Sequence, residues 1–144
     1  MIALGCDHGG YDLKQVVIAY LEEKGIPYKD FGCMDKSSCD YPVFGRAAAE
    51  AVASGECEKG IVICTTGIGI SIVANKVKGI RCALCHDCFS AKATRLHNNA
   101  NMLAFGGRVT GGELAISILK AYMNAEFEGG RHQTRIDKIH GLEK

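Results

Sequence analysis

Cys64 closes the apolar run Ile61-Val62-Ile63 and opens onto Thr65-Thr66-Gly67-Ile68-Gly69. The run has no polar alternation, which suits a strand covered on both faces. Gly67 and Gly69 let the backbone turn sharply and approach a ligand closely. The N–H groups that begin the next helix have no partner inside it and attract anions. A thiol there is either a base or nucleophile facing a ligand or a packed structural side chain. Asp7-His8-Gly9-Gly10 sets a carboxylate and an imidazole at the end of another apolar run. His97-Asn98 ends a helical pattern, where a lone histidine most simply caps the helix. Arg81, Arg95, Arg108, Arg131 and Arg135 all follow residue 80, and only Arg46 precedes it. Guanidinium groups grip phosphate or carboxylate at two points. The set points to a small anionic ligand beside an ionisable thiol.

Composition narrows the class. A chain of 144 residues is long enough for one core without staples. A net charge of +1 is too low for nucleic acid as the main partner. With no signal peptide or long apolar run, no membrane partner is expected, and the eight cysteines fit a reducing cytoplasm. Cys82, Cys85 and Cys88 have the spacing of part of a metal or cluster site, but Lys92 and Ala93 stand where a fourth cysteine belongs. Cys82 and Cys85 also lie on a strand pattern that turns them to opposite faces. No metal site is expected there.

Five strands are expected, at Met1–Cys6, Pro27–Phe31, Ile61–Cys64, Gly79–Leu84 and Asn101–Phe105. Helical patterns fill the intervals: Tyr11–Lys24, Gly45–Ser54, the stretch beyond Gly69, Asp87–His97 and Glu113–Ala125. Asp40-Tyr41-Pro42 has the form of a helix start, and a short helix is expected near Ile136–Ile139. Strands joined by helices specify a parallel sheet between two helical layers. The expected fold is therefore a three-layer α/β/α, Rossmann-like, doubly wound five-stranded sheet, with residues 1–144 forming one domain. The dinucleotide fingerprint fails, because Ile72 stands where its third glycine belongs. Asp7, His8, the Cys64–Gly69 turn and Arg108 should converge at strand ends.

The motifs Gly5-Cys6-Asp7-His8-Gly9-Gly10, Asp40-Tyr41-Pro42, Cys64 to Ser71 with Ala74-Asn75-Lys76, His97-Asn98, Leu103-Ala104-Phe105-Gly106 and Gly129-Gly130-Arg131-His132-Gln133 resemble those of the type B ribose-5-phosphate isomerases. The wider family includes the galactose-6-phosphate isomerase subunits. The resemblance spans nearly the whole chain in order and spacing. It departs at Thr65, where the usual form has glycine. The loop also carries no carboxylate, so the alternative glutamate base of part of the family is absent, which leaves Cys64.

This resemblance implies an aldose–ketose isomerase interconverting ribose 5-phosphate and ribulose 5-phosphate in the pentose phosphate pathway. Cys64 would be the base and His97 the acid that opens the sugar ring. Thr66 would hydrogen-bond the C1 or C2 oxygen and relay a proton. The turn Thr65, Gly67, Ile68 and Gly69 would cradle the oxyanion, while Asp7 and Asn98 would hold hydroxyls. His8, Arg108, Arg131 and Arg135 would receive the phosphate, and Tyr41 would be a wall, a hydroxyl contact or a core-packing residue. No cofactor or metal is implied. The expected assembly is a homodimer or a dimer of dimers with a shared site, for which the small residues of Ala47–Ala53 offer a close-packing face. An isomerase for allose or galactose 6-phosphate is the alternative within the fold. A non-catalytic sugar-phosphate binder would need neither Cys64 nor His97.

Overall fold

The computed structural model describes residues 1–143, and Lys144 lies outside the described residues. Five strands form one parallel sheet: β1 (Ile2–Cys6), β2 (Tyr28–Asp30), β3 (Lys59–Cys64), β4 (Cys82–Leu84) and β5 (Met102–Gly106), in the order β2-β1-β3-β5-β4. The helices are α1 (Tyr11–Glu23), α2 (Tyr41–Ala53), α3 (Ile68–Asn75), α4 (Cys88–Asn98), α5 (Gly112–Met123) and α6 (Arg131–His140). A single helical turn, His8–Gly10, leads into α1.

Alternation along each strand divides the core. Ile2, Leu4, Ile61, Ile63, Leu103 and Phe105 pack under α1, α4 and α5. Ala3, Val62, Cys64, Met102 and Ala104 pack under α2 and α3. Cys82 joins the second cluster and Cys85 the first, as a strand pattern requires, so these thiols do not converge with Cys88. All eight cysteines are free thiols.

Several boundaries differ from the sequence pattern. α2 starts at Tyr41, with Asp40 as N-cap and Pro42 in its first turn, so the expected helix start at Asp40-Tyr41-Pro42 runs directly into the Gly45–Ser54 pattern. β4 shortens to Cys82–Leu84 because it is an edge strand. α6 begins at Arg131 rather than near Ile136, buried through His132 and Ile136. The face expected to meet a partner through Ala47–Ala53 is instead largely internal. Ala48, Ala49 and Ala51 are buried against the sheet and α3, since small side chains let α2 sit close. Large apolar side chains stand exposed elsewhere, at Ile68, Ile72, Phe89 and Val109.

Strand order reverses between β1 and β3, whose neighbours lie on opposite sides. Ligands of open α/β sheets bind outside the carboxyl ends at such a point. The segments that follow these two strands are Asp7-His8 and Cys64–Gly69.

Candidate active site

The Cys64 turn is built by three strand ends. Gly107 N–H donates to Cys64 O (2.7 Å) and Arg108 N–H to Thr65 O (3.0 Å), so the segment after β5 holds the turn from one side. Gly67 is the N-cap of α3 with φ +79°. A β-carbon there would lie 2.6 Å from the carbonyl carbon of Phe105 and 2.6 Å from Leu84 Cδ1. Only glycine fits both constraints. The result aims Gly67 N–H at Cys64 Sγ, at 3.2 Å, and a donor so placed solvates negative charge on sulfur. Cys64 is buried, yet it lines a cleft of about 390 Å³.

Around this sulfur stand the other expected groups of the carboxyl edge. Thr66 is exposed, and its Oγ1 accepts from Ile68 N–H (3.2 Å), leaving its own proton free to donate. Ile68 is exposed and Gly69 lies against the Tyr41 ring, which lines the cleft instead of packing in the core. Thr65 tolerates the position where glycine is usual. Asn99 is the one non-glycine residue with positive φ among the described residues, so Thr65 keeps an ordinary backbone. Its hydroxyl occupies the space left by the missing side chain of Gly9.

Asp7 is buried and lines the cleft, but its Oδ1 accepts from Gly9 N–H (2.9 Å) and Gly10 N–H (3.1 Å). One carboxylate oxygen thus shapes the turn instead of meeting ligand. His8 Nδ1 accepts from Cys39 N–H (3.2 Å), so the neutral ring carries its proton on Nε2 as a donor. Cys39 was invisible as a site residue in the sequence, since it acts through its backbone. So was Lys14, which is fully buried in α1. Its ammonium donates to Asp30 Oδ1 (2.8 Å) and to the Cys33 carbonyl, anchoring the segment that reaches His8.

His97, Asn98, Arg131 and Arg135 lie elsewhere. α4 runs back against the strands, so its last residues reach the amino ends of the sheet. There Arg81 donates to the Asn98 and Asn99 carbonyls, and Asn101 O accepts from Gly60 N–H near the start of β3. Cys64 ends that same strand, about 13 Å from Gly60 at about 3.3 Å per residue. Arg108 shares the carboxyl edge with Cys64, but Arg131 and Arg135 share the other edge with His97. Within one chain, the expected base and the expected ring-opening acid are not brought together.

At that second edge His97 Nε2 is 3.4 Å from Glu128 Oε1, and its ring stacks on His132 with centroids 4.5 Å apart. Burial, then the charges of Arg131 and His97, hold His132 below the ordinary imidazole range. His97, Glu128 and His132 are the one trio of potential metal ligands close enough to share an ion among the described residues. His132 and Glu128 carried no assigned role in the sequence; the pair of positive-φ glycines, Gly129 and Gly130, was the available signal of a tight return there. Arg108, Arg131 and Arg135 are exposed and free of ion pairs among the described residues. Arg81 and Arg95 are structural. Arg81 caps α4 and contacts His140, while Arg95 binds Asn99 and Ala100 over the Tyr122 ring. A larger cavity of about 630 Å³ lies by Ile80, Asn98 and Leu142, at the edge away from Cys64.

The doubly wound parallel sheet thus presents, at the carboxyl ends of β1 and β3, a glycine-bearing turn and a thiol in a small cleft. Residues 2–139 match the Ribose/Galactose Isomerase family, and the chain belongs to it. The chain is 48% identical to ribose-5-phosphate isomerase B of Escherichia coli, across 99% of this chain and 96% of that one. It is 44% identical to a D-erythrulose-4-phosphate isomerase of Pectobacterium atrosepticum, across 96% and 91%. Its structure superposes on the ribose-5-phosphate isomerase B of Clostridium thermocellum with a TM-score of 0.98 at 53% identity, covering 99% and 96%. The expected fold and family therefore hold, and the protein is an isomerase of this family.

Proposed function

We propose that this chain, as one domain, interconverts D-ribose 5-phosphate and D-ribulose 5-phosphate in the pentose phosphate pathway of the cytoplasm. The observation that carries the reading is the Gly67 N–H aimed at Cys64 Sγ inside the cleft after β3. His97 opens the furanose. The C1–O4 bond breaks, its electron pair goes to O4 with a proton from His97, and the C1 hydroxyl gives its proton to water. The Cys64 thiolate then takes the C2 proton. The resulting enediolate rests on the N–H groups of the Thr65–Gly69 turn. The same sulfur returns its proton to C1, while Thr66 passes the O2 proton to O1. No cofactor or metal enters this sequence.

Because Cys64 and His97 occupy opposite edges, the complete site needs two copies, arranged as a homodimer or dimer of dimers. One copy supplies Cys64, Thr66, Asp7, His8 and Arg108. The other supplies His97, Asn98, Arg131 and Arg135. The exposed Ile68 and Ile72 on α3 give the contact an apolar surface beside the cleft.

The test is turnover of ribose 5-phosphate, with allose 6-phosphate, galactose 6-phosphate and erythrose 4-phosphate alongside. Fast conversion of the pentose alone supports the assignment, and preference for another sugar would replace it. Replacing Arg131 or Arg135 by Ala should raise KM with little change in kcat. An unchanged KM in both would remove them from the phosphate clamp.

A further inference from the structure

Glu128 sits just before the return made by Gly129 and Gly130, with φ of +70° and +58°. Its own N–H donates to Leu96 O at 3.0 Å, which pins this segment to the end of α4. The side chain then reaches His97 Nε2 at 3.4 Å. From the other side, the His132 ring lies on His97 with 20° between planes. His132 is only 7% exposed, and its Nε2 has no hydrogen-bond partner among the described residues. A buried polar ring without a partner is retained against a desolvation cost. The ring of His132 packs on the face of His97. The ligand atoms of the three residues lie within 4.8 Å of one another, and Arg131 and Arg135 add positive charge beside His132.

We infer that Glu128 and His132 are positioning residues for ring opening, holding the His97 imidazole by its edge and its face so that it meets the ring oxygen. The inference rests on the proposed role of His97 and adds the groups that make that role possible. His97 and Glu128 are both about half exposed, at 45% and 53% of their side-chain surface. An exposed pair of this kind adds little to folding stability. Its value is orientation of a proton donor on a helix end.

The two halves of the reaction separate experimentally. Ribose 5-phosphate is mostly cyclic and must be opened. Ribulose 5-phosphate cannot close a five-membered ring, because its C5 oxygen carries the phosphate. Exchange of its C1 proton with deuterium oxide, followed by NMR, therefore needs enediolate formation but no ring opening. Glu128→Gln and His132→Asn should each slow turnover of ribose 5-phosphate by roughly tenfold or more, within the range of general acid–base contributions. The same variants should leave the exchange rate within about twofold and, for Glu128→Gln, the unfolding midpoint unchanged. Glu128→Asp should recover part of the turnover.

Equal loss of turnover and exchange in Glu128→Gln would overturn the inference, and so would retention of both. His97→Asn separates that failure from failure of the underlying reading. If His97→Asn keeps full turnover, His97 is not the ring-opening acid. If wild type shows neither turnover nor exchange, the assigned reaction itself is wrong.

Discussion

Replacing Gly67 by Ala adds one methyl group at the point where the proposed chemistry depends most on backbone geometry. The residue has φ +79°, which costs a β-carbon about 1–2 kcal/mol. The new carbon would also stand 2.6 Å from the Phe105 carbonyl carbon. That neighbour is β5 backbone and cannot rotate away. Reaching ordinary contact at about 3.4 Å requires the turn to retreat by roughly 0.8 Å, which adds strain on the order of 1–2 kcal/mol. A 144-residue chain has an unfolding entropy near 300 cal/mol/K, so each kcal/mol lowers Tm by about 3 °C. The expected drop is about 6–12 °C. The larger effect is on turnover. The retreating turn carries Gly67 N–H away from Cys64 Sγ, now 3.2 Å distant, and shifts the cradle with it. Misplacement near 1 Å costs about 100-fold in rate. Thermal unfolding with steady-state kinetics on ribose 5-phosphate at 25 °C, where the variant stays folded, separates the two effects. A folded variant with kcat within about fivefold of wild type would refute the claim that this turn supports the thiolate and the enediolate.

Cys64→Ala should reduce kcat by about 10²–10⁴ while sugar-phosphate binding, read by calorimetry, changes little; near-normal turnover would exclude the thiol as base. Lys14→Met leaves Asp30 and the Cys33 carbonyl without their partner, and should lower stability by about 3 kcal/mol, or about 9 °C in Tm. A shift below about 3 °C would mean that the pair is solvated or replaced. His132 is held below the ordinary imidazole range, so the folded protein binds fewer protons than the unfolded chain as pH falls through about 6.5. Its contribution therefore favours folding above that pH and is lost on acidification. The urea midpoint of wild type should fall from pH 8 to pH 5.5 more steeply than that of His132→Asn, and parallel curves would refute this.

The sheet and its crossovers were legible because strand and helix leave different periods in the sequence. Ile61–Cys64 and the pattern of α5 are examples, strengthened by buried apolar runs on both faces. The start of α6 was not, because Arg131, His132, Gln133, Thr134 and Arg135 carry no apolar stripe and are helical around one buried imidazole. The roles of Cys39 and Lys14 were hidden for another reason. One acts through a backbone N–H, and the other is a charge buried only because a distant Asp30 and a carbonyl meet it. The resemblance named the candidate residues and implied a site shared between copies, but not which edge of the sheet each residue would occupy. Spacing along a chain says little about which end of a sheet a returning helix reaches, and that end decides whether His97 can face Cys64 of its own chain. The alanines of α2 misled similarly, since small residues allow close packing without saying against what.

The separation of Cys64 and His97 to opposite edges also changes what damage to this protein means. A copy without its thiol still carries an intact imidazole edge, and a copy without its imidazole still carries an intact thiol edge. In the two-copy site proposed above, two such broken chains paired with each other would rebuild one whole site and one doubly broken site. Two alleles, each silent alone, would then restore roughly a quarter of normal activity when expressed together, since about half of randomly assembled pairs are mixed and each holds one good site of two. On that proposal, a defect in either edge would act less like loss of an enzyme than like loss of one half of a reciprocal exchange.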